Sequence, residues 1–152
     1  MDSARYGSAR ASPSFVANFL ITEAVGSSGQ SRLSYISIPA YPQLAVYAIW
    51  DQPEQRLDRL AILNLANRNI STSAADADAL AVDVYLSPVL QGSEAKVKRL
   101  TGPGMDSTES QTATWAGQNY MNGTPEGDES VEETQNGVVR VGGCEGVLVF
   151  LH

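Results

Sequence analysis

The chain has 152 residues, 43% of them hydrophobic and 18% charged, with a formal net charge of −7. That is the length of one ordinary domain, with enough apolar material for a core and too few charges for a disordered chain. The acidic balance argues against nucleic-acid and anionic-membrane partners, and no run approaches the ~18 consecutive apolar residues of a membrane span.

Residues 1–11 hold two arginines among Ser and Ala without an apolar stretch, so they read as a flexible N-terminus with no visible signal peptide. Export would require a signal that has been removed or lies upstream. The first organised element is a helix over 13–25. Ser12 is a suitable N-cap, Pro13 suits the first helical position, and Phe15, Val16, Phe19, Leu20 and Ala24 recur at helical spacing until Gly26.

Everything after Gly29 reads as strands: 32–38, 44–51, 57–67, 80–87, 94–101, 112–116, 130–135, 138–141 and 147–151. Pro and Gly punctuate them at short intervals, the rhythm of an antiparallel sandwich rather than of βαβ units. The expected fold is therefore mostly β, an antiparallel β-sandwich with one N-terminal α-helix. A single domain spans 12–151. Residues 70–79 and 105–111 read as mobile loops.

Two strands stand apart. In 44–51, Leu44, Val46 and Trp50 face one way and Tyr47 and Ile49 the other; 147–151 is apolar on both faces. Such strands are covered on both sides, by the helix or by another domain. Asn136-Gly137 marks a type I′ hairpin, which would pair Gln135 with Val138 and Glu133 with Arg140. The same register sets Glu132 opposite the apolar Val141, unless a bulge intervenes.

Few residues offer chemistry. His152 is the only histidine and the last residue, so a Ser/His or Cys/His nucleophilic site would rest on a frayed end. Cys144 is the only cysteine and reads as a small buried hydrophobe. No ligand spacing suggests zinc, Asp76 and Asp78 lack the surroundings of a calcium loop, and no glycine-rich phosphate loop precedes a helix. No metal and no cofactor are expected. Glu126, Asp128, Glu129, Glu132 and Glu133 form an acidic run that reads as a solvated hairpin rather than as paired catalytic acids, which need ~5 Å separation across a cleft.

Trp115 and Tyr120, with the amide of Gln118 between them, are the candidates for carbohydrate stacking, against core or interdomain packing as the alternative. Two N-glycosylation sequons, at Asn69 and Asn122, lie in predicted loops.

The ordered motifs Val46-Tyr-Ala-Ile-Trp50, Leu60-Ala-Ile-Leu-Asn-Leu65, Val97-Lys-Arg-Leu-Thr-Gly-Pro-Gly104, Thr114-Trp-Ala-Gly-Gln118, Asn136-Gly-Val-Val-Arg-Val141 and Glu145-Gly-Val-Leu-Val-Phe-Leu151 follow the helix. Together they resemble the C-terminal β-domain of glycoside hydrolase family 79, the fungal β-glucuronidase type, over nearly the whole chain. The resemblance implies a β-sandwich packed against a catalytic (β/α)8 barrel, whose two glutamates act with retention of configuration. It makes 13–25 the last barrel helix and implies a secreted setting. The barrel and both glutamates are missing here, so no catalytic residue carries over. The resulting expectation is a non-catalytic accessory domain that partners a glycosidase barrel. The alternatives are a stand-alone lectin-like carbohydrate-binding protein and an interaction module that dimerises through an apolar patch.

Overall fold

The structure, a computed structural model, describes residues 12–51, 56–90, 94–108, 112–120 and 123–151. Helix α1 spans Pro13–Val25, as the sequence indicates. The Ser12 hydroxyl accepts from the Phe15 N–H at 3.2 Å, and Gly26, at φ 72°, ends the helix by donating to the Thr22 carbonyl. The last turn of α1 carries no basic residue. The cation favoured at a helix C-terminus comes instead from Arg59, whose Nη1 donates to the Glu23 carbonyl at 2.6 Å. Arg59 Nε lies 2.8 Å from an Asp58 carboxylate oxygen, at an angle that makes an ion pair but no hydrogen bond.

Nine strands follow among the described residues: β1 (Arg32–Ile36), β2 (Leu44–Asp51), β3 (Arg56–Asn64), β4 (Val82–Tyr85), β5 (Lys96–Thr101), β6 (Thr114–Trp115), β7 (Glu132–Glu133), β8 (Val138–Val141) and β9 (Glu145–Phe150). Seven build one antiparallel sheet in the order β1-β2-β3-β9-β5-β6, with β7 also pairing β5. The free edge of β5 is thus shared by β6, at Leu100–Thr101, and β7, at Lys96–Val97. A second, two-stranded sheet joins β4 to β8.

The large sheet is apolar on both faces because its central strands are covered twice. Leu44, Val46, Leu60, Ile62, Val97, Val147 and Val149 face the β4–β8 ribbon, packing on Val82, Leu86, Leu90, Val139 and Val141. On the opposite face, cross-strand rows such as Tyr47–Ala61–Leu148 and Leu63–Gly146–Leu100–Trp115 lie beneath α1. The helix contributes Val16, Leu20 and Ala24. Gly146 lets it come close: a β-carbon there would sit 2.8 Å from Leu63 Cδ2 and 3.2 Å from Leu20 Cδ1. The cover foreseen for the two-faced strands is therefore the chain's own helix. Trp50, which faces the same way as Leu44 and Val46, is half-buried against the ribbon-side core.

Several expectations are corrected. Residues 74–79 are not a mobile loop but helix α2 (Ala74–Ala79), nucleated where Ser73 accepts from the Asp76 N–H at 3.2 Å and donates to its carboxylate at 2.7 Å. Ser87 belongs to a second short helix, α3 (Ser87–Leu90), and the strand before it is only Val82–Tyr85. The Asn136-Gly137 turn forms, with both φ values positive (54° and 67°) and Gln135 facing Val138. The hairpin then splits: Glu133 pairs with Lys96 on β5, and Arg140 with Asp83 on β4. Opening the two arms into different sheets removes the conflict that a continuous ladder would create between Glu132 and Val141.

Asn64 ties the two sheets together. It is 1% exposed, and its amide donates to the carbonyls of Leu80 (2.9 Å) and Val141 (3.0 Å) while its oxygen accepts from the Ala66 N–H. Asn64→Ala removes three hydrogen bonds from a buried position and leaves a cavity, so it should cost about 3 kcal/mol of stability. A denaturant titration that moves the midpoint by less than a third of that would show the bridge to be dispensable.

Candidate functional site

The aromatic candidates are placed by a tight turn. Trp115 and Gln118 exchange backbone hydrogen bonds of 3.0 Å across Ala116-Gly117, whose φ values of 49° and 77° describe a two-residue hairpin turn. Alanine carries no turn signature, which is why this hairpin is not legible in sequence; Gly117 is the only local signal.

The turn swings Trp115 and Tyr120 under α1 rather than toward solvent. Trp115 is 2% and Tyr120 6% exposed. Tyr120 stacks on Phe19 with ring centroids 4.2 Å apart, and Phe15 meets both rings edge-on. Burial also raises the Tyr120 hydroxyl above its ordinary titration range. One face of Tyr120 is thus taken by Phe19, and little of either ring is open to solvent. The Gln118 side chain donates to the Gly127 carbonyl at 3.0 Å, closing the following loop.

Glu23 gathers the polar groups around this packing. One carboxylate oxygen accepts from the Trp115 indole N–H at 2.8 Å, the other from Lys98 at 2.7 Å. Lys98 also holds Glu129 at 2.7 Å and stands over the Phe150 ring. Burial alone would lower the Lys98 pKa, but bonds to Glu129 and Glu23 outweigh it and raise it above the ordinary 10.5. An open groove of about 480 Å³ adjoins this cluster, lined by Glu23, Lys96, Lys98, Val131, Glu133 and Phe150.

Two members of the acidic run are held in ion pairs. Glu129 goes to Lys98, and Glu132 to Arg99 at 2.7 Å; Glu133 stands opposite Lys96 across the β5–β7 pairing. Arg99 also reaches Glu145 (3.3 Å) and the Arg140 carbonyl (2.8 Å), linking the large sheet to the ribbon. Asp78 and Asp83 both bind Arg140, at 2.6 and 2.9 Å. Among the described residues no three His, Cys, Asp or Glu side chains group as a metal site.

Cys144 is half-buried and polar in its contacts rather than a plain hydrophobe. Its sulfur accepts from the Arg68 N–H at 3.1 Å and donates to the Ala66 carbonyl at 3.2 Å, holding the loop after β3. His152, Asn122 and residues 1–11 lie outside the described residues. No helix among the described residues is long and apolar enough to cross a membrane.

The family profile described as the glycosyl hydrolase family 79 C-terminal beta domain matches residues 46–148. A crystal structure of a 4-O-α-L-rhamnosyl-β-D-glucuronidase from Fusarium oxysporum 12S, in complex with Rha-GlcA, has a TM-score of 0.57 and 22% identity, covering 78% of this chain and 25% of that one. This likeness is one of fold, and the chain corresponds to about a quarter of that protein's length. No curated protein matches the sequence.

Trp115→Ala should cost about 3–5 kcal/mol through lost burial and a cavity, while leaving retention on immobilised glycans unchanged. A stable variant that loses glycan retention would return the ring to a binding role. Alkali tests the Lys98 cluster. Its folded-state pKa is raised, so its contribution is present below 10.5 and disappears as pH rises through the folded value. Lys98→Met should therefore flatten the decline in melting temperature above that pH; an unaltered decline would mean the cluster adds nothing.

Proposed function

Because this chain belongs to the family of glycosyl hydrolase 79 C-terminal beta domains, we propose that it is a non-catalytic accessory domain that packs against a glycosidase catalytic barrel. The observation that carries this reading is the state of β1. All five of its residues are exposed, among them Leu33 (54%), Tyr35 (60%) and Ile36 (39%), and its outer edge has no strand partner among the described residues. Leu33 and Tyr35 extend the α1-side face, next to Ile49 and Tyr47, whereas α1 itself packs across β3, β9, β5 and β6. Three of the five residues of β1 are large and apolar, and exposed apolar groups gathered at a sheet edge are ordinarily covered by something.

The acids support a role without chemistry of its own, because Glu23, Glu129 and Glu132 are each engaged by a cation of β5. A carbohydrate-binding role would need the aromatic faces that this packing gives to α1. Family membership also supports a secreted setting.

The test is association with a family 79 catalytic barrel stripped of its own C-terminal domain, measured by calorimetry beside sedimentation of the chain alone. A one-to-one complex is expected. Tyr35→Asp should weaken it at least about tenfold, a loss of 1.4 kcal/mol. The chain alone should not turn over aryl glucuronides. Turnover that survives repurification and vanishes when one of its own glutamates is changed would overturn the reading. So would a stable homodimer that buries β1 and excludes the barrel.

A further inference from the structure

The sequon Asn69-Ile70-Ser71 sits in a loop that the accessory role leaves unexplained, and the structure builds that loop with care. A turn closes it: the Thr72 N–H donates to the Asn69 carbonyl at 3.1 Å, and the Asn69 N–H donates to the Thr72 hydroxyl at 2.9 Å. The 102–106 segment then holds it from below. The Met105 N–H donates to the Arg68 carbonyl at 2.8 Å, the Ile70 N–H to the Asp106 carboxylate at 2.8 Å, and the Arg68 guanidinium to the Gly102 carbonyl. Gly104, at φ +156°, lets the two backbones touch; a β-carbon there would lie 2.6 Å from the Ile70 nitrogen.

What this scaffold leaves outward is the acceptor set itself. Asn69 and Ser71 are exposed, and neither side chain has a hydrogen-bond partner among the described residues. Beside them Ile70 (56%) and Met105 (68%) are large apolar groups open to solvent. Ile70 in the middle position is not proline, so the sequon is permitted.

We propose that Asn69 carries an N-linked glycan, whose first sugar rings lie over Ile70 and Met105. In the transfer, the Asn69 side-chain nitrogen forms a bond to C1 of an oligosaccharide carried on a lipid pyrophosphate. The C1–oxygen bond to the carrier breaks, the lipid pyrophosphate leaves, and the amide gives up one proton. The modification is independent of docking at β1. The Arg68–Thr72 loop is anchored beside β5 and β9, and β9 is three strand spacings from β1, roughly 15 Å, so glycan and partner can coexist.

The test is secretion of the full chain from a yeast host behind a cleavable signal, followed by peptide mapping with and without peptide N-glycosidase. The peptide containing Asn69 is expected chiefly as a glycopeptide that the enzyme converts to its aspartate form. Ser71→Ala should abolish the modification with the melting temperature of the enzyme-deglycosylated protein unchanged, Ser71→Thr should keep it, and Asn122→Gln should leave it in place. An unmodified Asn69 peptide in the folded, secreted wild-type chain overturns the proposal, whatever the variants do. Barrel association is scored separately, so either proposal can fail without the other.

Discussion

The central strands of the large sheet cannot be left wet on either side. Ile62, Val147 and Val149 on one face, and Ile49 and Leu148 on the other, are completely buried. Each such side chain is worth about 1.5–3 kcal/mol only while it stays covered. Two covers are therefore obligatory, and the chain supplies both: the β4–β8 ribbon with α2 and α3 beside it, and the thirteen residues of α1. A helix of that length is marginal alone, so sheet and helix depend on each other.

Burial of this kind is not directional, and the polar contacts fix how the layers sit. Arg59 completes the C-terminal end of α1 from the sheet beneath it. Glu23 fastens the same turn to Trp115 and Lys98 through two separate oxygens. Asn64 does for the ribbon what Glu23 does for the helix, by satisfying carbonyls of two neighbouring segments at once. Arg59 and Asn64 come from β3, in the middle layer of the stack, and Glu23 from the helix that covers it, so each spans two layers.

The α1 limits, the full span of β2 and the turn at Asn136-Gly137 were legible because each has a local signal: a cap and a proline, alternation, a turn dipeptide. Helix α2 had its signal too, in Ser73 and Asp76, but its small and acidic residues lack an apolar stripe and read as loop. The fates of Glu133 and Arg140 were not legible, since a hairpin's local register says nothing about where its arms part. Trp115 and Tyr120 show the same limit at the candidate site. An aromatic near a strand end fits a sugar platform and a helix dock equally well, and the choice was made by Phe15, Phe19 and Glu23, about a hundred residues away in the chain.

That choice also relocates the surface available to a partner. The strands apolar on both faces left two covers open, the helix or another domain, and the resemblance made residues 13–25 the last helix of a barrel. In the structure those residues close the second face from within the chain, so the sheet needs no partner to bury its centre. Among the described residues, the first edge of the large sheet is left without a strand partner. Leu33 and Tyr35 continue the helix-side face beyond the reach of α1, and the β1 backbone ends the ladder. A partner that meets this domain finds a strand edge with an apolar flank, a shape suited to rigid docking. On the other side of the sheet's centre, the ion pairs of Lys98 and Arg99 tie Glu23, Glu129, Glu132 and Glu145 to β5, so these charges hold the layers in register.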